Sequence, residues 1–191
     1  MSAPQQTDIR RWFQTQATTL APEANLSGAE AAKYAANCIA FFADESVDWS
    51  NESLLEPALR TIAANLGEVI FNGTATALEV AVVLSASAGL TRVFGTATED
   101  NTALFGFWDS VLTHLHEEGL WVEHPLLREA FFSALLGQLT SHNRYCQLSA
   151  LHGLNHLRHP RTQLAVDWFL STAGDQELRD YAATARRFDA M

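Results

Sequence analysis

Lysine is almost missing from this chain: Lys33 stands alone beside eleven arginines, against 22 carboxylates, and the formal net charge is -10. Binding a phosphate backbone needs a basic patch, so this shortage argues against nucleic acid as a ligand. Cysteine is equally scarce. Cys38 and Cys146 have no CxxC or CxxH neighbour and fall in apolar helical patterns, so they read as small buried hydrophobes in a reducing compartment. Long apolar runs are absent too: the longest weakly polar stretch, 75–90, is broken by Glu79 and falls short of the roughly 20 residues of a membrane span. The opening, MSAPQQTDIRRWF, is polar rather than basic and then apolar, which predicts no Sec-type leader and a cytoplasmic protein. Alternating strand patterns are limited to EVIF at 68–71 and LTRVFG at 90–95, both short. There is no HExxH, no GxSxG elbow and no phosphate-loop spacing, so nothing points to a nucleophile.

What the chain does contain is enough apolar material for one core. Its 191 residues are 48% hydrophobic and 18% charged, the composition of a soluble globular chain, and 1–191 reads as a single domain. The acid is concentrated in two windows without Lys or Arg. Residues 34–59 carry Asp44, Glu45, Asp48, Glu52 and Glu56, and residues 93–127 carry Glu99, Asp100, Asp109, Glu117, Glu118 and Glu123. Such windows are either solvated helix faces or a field that steers a basic partner.

Helix punctuation recurs along the chain. Ser27 with Glu30 and Thr76 with Glu79 form capping boxes, Gly67, Gly89, Gly119 and Gly174 sit where helices should stop, and Pro125 falls at a favoured first helical position. Asp175 opens the last helix, and an N-terminal helix is expected over 8–20. The expected fold is all-α, with about eight helices.

Internal similarity gives those helices an order. HPLLREAFFSALL from His124 and HPRTQLAVDWFLS from His159 align at an offset of 35, matching His-Pro with His-Pro, Ala130 with Ala165 and Leu135 with Leu170. One helix earlier, Leu115 and His116 fall on Leu151 and His152. A period of that length is a two-helix unit, which buries its apolar face by stacking on its neighbours. The segment SALHGLNHLRHPRTQLAVDWFLS, 149–171, resembles a HEAT-type repeat junction, and the resemblance is clearest over 110–189. It implies a right-handed stack of two-helix repeats. HEAT-like modules mostly bind proteins, while a minority are enzymes.

All seven histidines lie between 114 and 159. On an ideal helix His152, His156 and His159 fall within about 60° of one another, opposite Leu151, Leu154 and Leu157. Two imidazoles four residues apart can grip Zn or Fe, and His116 or Glu117 from the preceding repeat would complete the set His116, Glu117, His152 and His156. HEAT-like di-iron hydroxylases are similar in using His-Glu pairs at repeat junctions, but only His116-Glu117 reproduces the pair here. The competing reading makes His124 and His159, each before a proline, helix caps, and gives His152 and His156 a half-exposed, partner-facing position.

Among the tryptophans, Trp108 and Trp168 lie on apolar stripes and are expected in the core. Trp49 and Trp121 sit between helices among acids, in DESVDWSNES and HEEGLWVEH, where an indole suits a binding hot spot. The sequence therefore reads first as a protein-binding scaffold without a cofactor, of the kind an immunity or antitoxin-type inhibitor of a basic protein would need. Its contact residues would be Asp48, Trp49, Glu52, Glu117, Glu118, Trp121, Glu123, His152 and His156. The alternative is a His-ligated metalloprotein using Zn or Fe.

Overall fold

The computed structural model describes residues 83–85, 87–89, 91, 107–109, 111–112 and 125–187, and these are all-α, with no strand among them. Four helices are complete: α1 (Pro125–Leu139), α2 (Arg144–Leu157), α3 (Thr162–Thr172) and α4 (Gln176–Arg186). No helix among the described residues is long and apolar enough to cross a membrane.

Each boundary follows from local chemistry. Helix α1 begins on Pro125, whose missing N–H costs nothing in the first turn. Helix α2 is capped by Asn143, whose Oδ1 accepts from the N–H groups of Tyr145 (2.9 Å) and Cys146 (3.1 Å). It ends where Arg158 adopts the left-handed conformation (φ 45°, ψ 39°) and donates its N–H to the Leu154 carbonyl, the arrangement of an αL cap. Helix α4 is capped by Asp175, whose Oδ1 accepts from Leu178 N–H at 3.1 Å.

Helices α1 and α2 form one hairpin and α3 and α4 a second. Helix α2 packs broadly on both α1 and α4, and α3 broadly on α4, whereas α1 and α3 meet over a smaller area. The consequence is that α2 is enclosed: ten of its residues are buried, including Leu148, Leu151, Leu154 and Leu157, and also Ser149, His152 and Asn155. Each fully buried leucine contributes about 1.5–3 kcal/mol relative to exposure. Cys146 behaves as expected of a small hydrophobe, being fully buried with a thiol pushed up by burial.

A polar network runs through the core. The Trp108 indole N–H donates to Gln138 Oε1 (3.2 Å), Gln138 Nε2 donates to the Ser87 carbonyl (3.5 Å), and Ser87 Oγ donates to the Ala134 carbonyl (3.2 Å). Trp108 meets Phe107 and Phe131 edge-on, with ring centroids 5.1 and 6.0 Å apart. These contacts lock Trp108 against α1, and Phe107, Trp108, Val111 and Leu112 are all buried.

Three expectations change. Trp108 is in the core, but Trp168 is 46% exposed, because α3 turns Thr162, Ala165, Val166 and Phe169 inward and leaves Leu164 and Trp168, one turn apart, on its outer side. The repeat match of Leu135 with Leu170 is unequal, since Leu135 is buried and Leu170 only half-buried. His159 does not share a helical face with His152 and His156, because α2 ends at Leu157 and the αL residue Arg158 turns the chain away.

Gly153 shows how tightly α2 is held. A Cβ there would lie 2.5 Å from one Leu135 methyl and 3.4 Å from the Trp108 ring. Forcing extra carbon into a packed core costs about 1–3 kcal/mol. We expect Gly153→Val to lower the free energy of unfolding by about that amount in urea titrations; unchanged stability would mean that this contact yields freely.

Candidate metal centre

The i, i+4 spacing on α2 brings His152 and His156 to one side of the helix, with ring centroids 4.7 Å apart. Asp109 arrives from a different element, next to the buried Trp108 and two residues before the buried Val111. Its Oδ1 lies 3.0 Å from His156 Nε2 and 3.7 Å from His152 Nε2. One ligand-type atom from each of the three residues falls within 4.8 Å of the other two. Around an ion with bonds of about 2.1 Å, tetrahedral donors stand roughly 3.4 Å apart, so binding would draw the three together without rebuilding the helices.

The environment favours the neutral imidazole that metals require. His152 is 6% exposed, and burial pushes its pKa below the usual range, reinforced by His156 and opposed by the Asp109 carboxylate. Its other ring nitrogen, Nδ1, is 2.7 Å from the Tyr181 hydroxyl of α4. That phenol is pushed up to about 12, first by burial and then by the Asp109 charge, so it stays neutral across the physiological range. The cluster therefore has a carboxylate, two imidazoles and an outer hydroxyl, supplied by three elements.

The structure thus joins His152 and His156, as the i, i+4 pattern implies, but puts His152 inside the protein rather than on a half-exposed face. His156 keeps 22% of its side-chain surface. Asp48, Trp49, Glu52, His116, Glu117, Glu118, Trp121, Glu123 and His124 lie outside the described residues. Asp109 and Tyr181 are the members that the sequence does not single out. Asp109 counts there only as one acid of a window, although its place between Trp108 and Val111 on an apolar stripe is a signal. Tyr181 falls on the same stripe of α4 as Leu178, Ala182 and Ala185, and reads as packing.

His159 lies in the turn between α2 and α3. Its Nδ1 accepts the Arg161 N–H (3.2 Å), its Nε2 contacts Glu129 Oε1 (3.0 Å), and its ring stacks on Phe132 at 4.3 Å. It thus braces the turn before α3 rather than capping that helix, whose N-cap Arg161 makes no side-chain cap hydrogen bond. No protein-family model matches this chain, and neither a curated protein nor a solved structure matches it.

Burial lowers the pKa of His159 as well; Glu129 opposes the shift, and Arg128 and Arg161 add to it. A histidine whose folded pKa is depressed refuses a proton that the unfolded chain accepts, so stability is full above about pH 6.5 and declines as the pH falls below it. We expect the urea midpoint to fall on acidification from about pH 7 to pH 5, and His159→Ala to show a shallower decline. An identical slope in the variant would remove His159 from this account.

Proposed function

We propose that this protein binds one divalent transition-metal ion through Asp109, His152 and His156. The observation that carries the proposal is the convergence of three ligand-type groups within 4.8 Å, one of them a buried imidazole whose far nitrogen already has a hydroxyl neighbour. Two imidazoles and a carboxylate are a donor set used by non-haem Fe(II) and acceptable to Zn²⁺, which keeps the ion class at Zn or Fe. Three protein donors are also the number that leaves positions for water or a small ligand. The carrier would be a HEAT-like helical-repeat scaffold. In support, α1/α2 and α3/α4 form successive hairpins, the His-Pro offset of 35 residues falls at their starts, and the matched Ala130 and Ala165 are both buried.

A protein-binding role is the second reading, favoured by one observation. Leu126, Leu164 and Trp168 are exposed, and Leu164 and Trp168 line an apolar groove of about 450 Å³ with Phe132, Leu136 and Ala165. The net charge of -10 favours a basic partner, as for an immunity-type inhibitor. Because Arg161 edges the groove, attraction would come from the acidic windows around Trp49 and Trp121 and the groove would supply apolar contact.

Titration of the metal-free chain with Zn²⁺ or Co²⁺ should show one equivalent bound, and binding should vanish in a His152→Ala, His156→Ala double variant and weaken in Asp109→Asn. Saturation at about 100 times Kd should add about 2.7 kcal/mol of stability. Failure of the wild-type chain to take up either ion would sink the metal reading. For the second reading, Trp168→Asp should release a captured partner with an isoelectric point above about 9, and raised salt should weaken its capture. Indifference to both would count against it.

A further inference from the structure

The metal proposal leaves α4 without a role, yet α4 is the helix that reaches the cluster. Resting on that proposal, we infer that Tyr181 is a positioning residue for the metal site, and that through it metal loading and the seating of α4 are coupled. A histidine that gives Nε2 to a metal must carry its proton on Nδ1, and a hydrogen-bond acceptor at that nitrogen fixes both tautomer and ring angle. Tyr181 Oη, 2.7 Å from His152 Nδ1, is such an acceptor. Tyr181 is the outer partner, and Nε2 is the nitrogen that faces Asp109, 3.7 Å away.

Helix α4 packs on both α2 and α3, and the Tyr181 hydroxyl is its tie to the cluster. Its buried face is small, Leu178, Ala182 and Ala185, and two of those three side chains are single methyl groups. Its polar ties are the Arg179 hydrogen bonds to the Leu170 and Ala173 carbonyls (2.5 and 3.0 Å) and partly exposed ion pairs, Arg144 to Asp175 and Glu177 (3.4 and 2.5 Å) and Arg186 to Asp167 (2.6 Å). Exposed pairs of this kind contribute little each. Arg144 opens α2 and His152 lies eight residues along it, about 12 Å by helical rise, so α4 is pinned to α2 at two separated points. One of these points is the imidazole that a metal would immobilise. An ion that holds His152 in its ring orientation therefore holds the Nδ1–H that donates to Tyr181, and by linkage a seated α4 strengthens the grip on the ion.

The test uses the full chain, Co²⁺ as the probe, and the variant Tyr181→Phe, which deletes one oxygen and keeps the ring. Loss of an outer partner of a ligating histidine typically weakens metal affinity about 10- to 100-fold, so the variant should bind Co²⁺ that much more weakly, with an altered ligand-field absorption spectrum. In the wild type, Co²⁺ should slow amide exchange across residues 178–186, and in Tyr181→Phe at saturating Co²⁺ this gain should be lost. A second variant, Arg179→Ala, removes the hydrogen bonds of α4 to the Leu170 and Ala173 carbonyls, away from the cluster, and should also weaken Co²⁺ binding. A wild-type chain that takes up one equivalent, alongside a Tyr181→Phe chain with the same affinity and spectrum, overturns this inference alone. A wild-type chain that takes up none overturns the metal reading and this inference with it. If Tyr181→Phe fails to fold, the exchange of residues 178–186 in the wild type decides: no change on adding Co²⁺ overturns the coupling.

Discussion

The enclosure of α2 is the constraint on which the rest of the described structure depends. A helix with α1 on one flank, α4 on another and Trp108 against Gly153 is shielded from water along most of its length. Yet it carries Ser149, His152 and Asn155 as buried residues. Buried polar groups persist when neighbours answer them. For His152 the answer comes from two separate elements, Asp109 on one ring nitrogen's side and the Tyr181 hydroxyl on the other's. The candidate site is thus a consequence of packing as much as of chemistry: it lies where three elements meet.

The same enclosure sets the electrostatics. Burial keeps His152 neutral against the pull of Asp109, and burial together with Asp109 keeps Tyr181 protonated. A neutral imidazole is the form that binds metal, and a neutral phenol can accept its remaining proton without adding a charge. Asp109, half-exposed, is the carboxylate of the cluster. A divalent ion placed among these groups would gain two nitrogen donors and one anionic oxygen at distances already close to those of a coordination sphere.

At the outer surface the logic is different. Phe132 of α1 is covered on one face by the stacked His159 ring, and Arg161 sits 4.6 Å from its centroid. Glu129 pairs with both His159 and Arg161. This corner ties the first hairpin to the start of the second, and the His-Pro dipeptide supplies the residue that does it. Beyond it, Leu164 and Trp168 remain on the outer side of α3 because four other positions of that helix already fill the core.

Much of the local structure could be read from residues alone. Pro125 and Asp175 mark starts, the His-Pro at 159–160 marks a junction, and the i, i+4 spacing of His152 and His156 places them on one side of a helix. These are short-range matters, settled by backbone geometry and by which N–H groups a side chain can reach. Other features depend on which helix faces which, and a single sequence does not encode that in any local pattern. The apolar stripe of α3 did not reveal that Trp168 lies outside. The helical wheel of α2 put His152 opposite the leucines without showing that α4 would close over that side and bury it. Asp109, 43 residues before His152, and Tyr181, 29 after it, became partners only when Trp108 and α4 packed against α2. Sequence determined the helices, their caps and the histidine pair; tertiary packing decided what those histidines face, because contacts across such separations arise from the fit of whole helices.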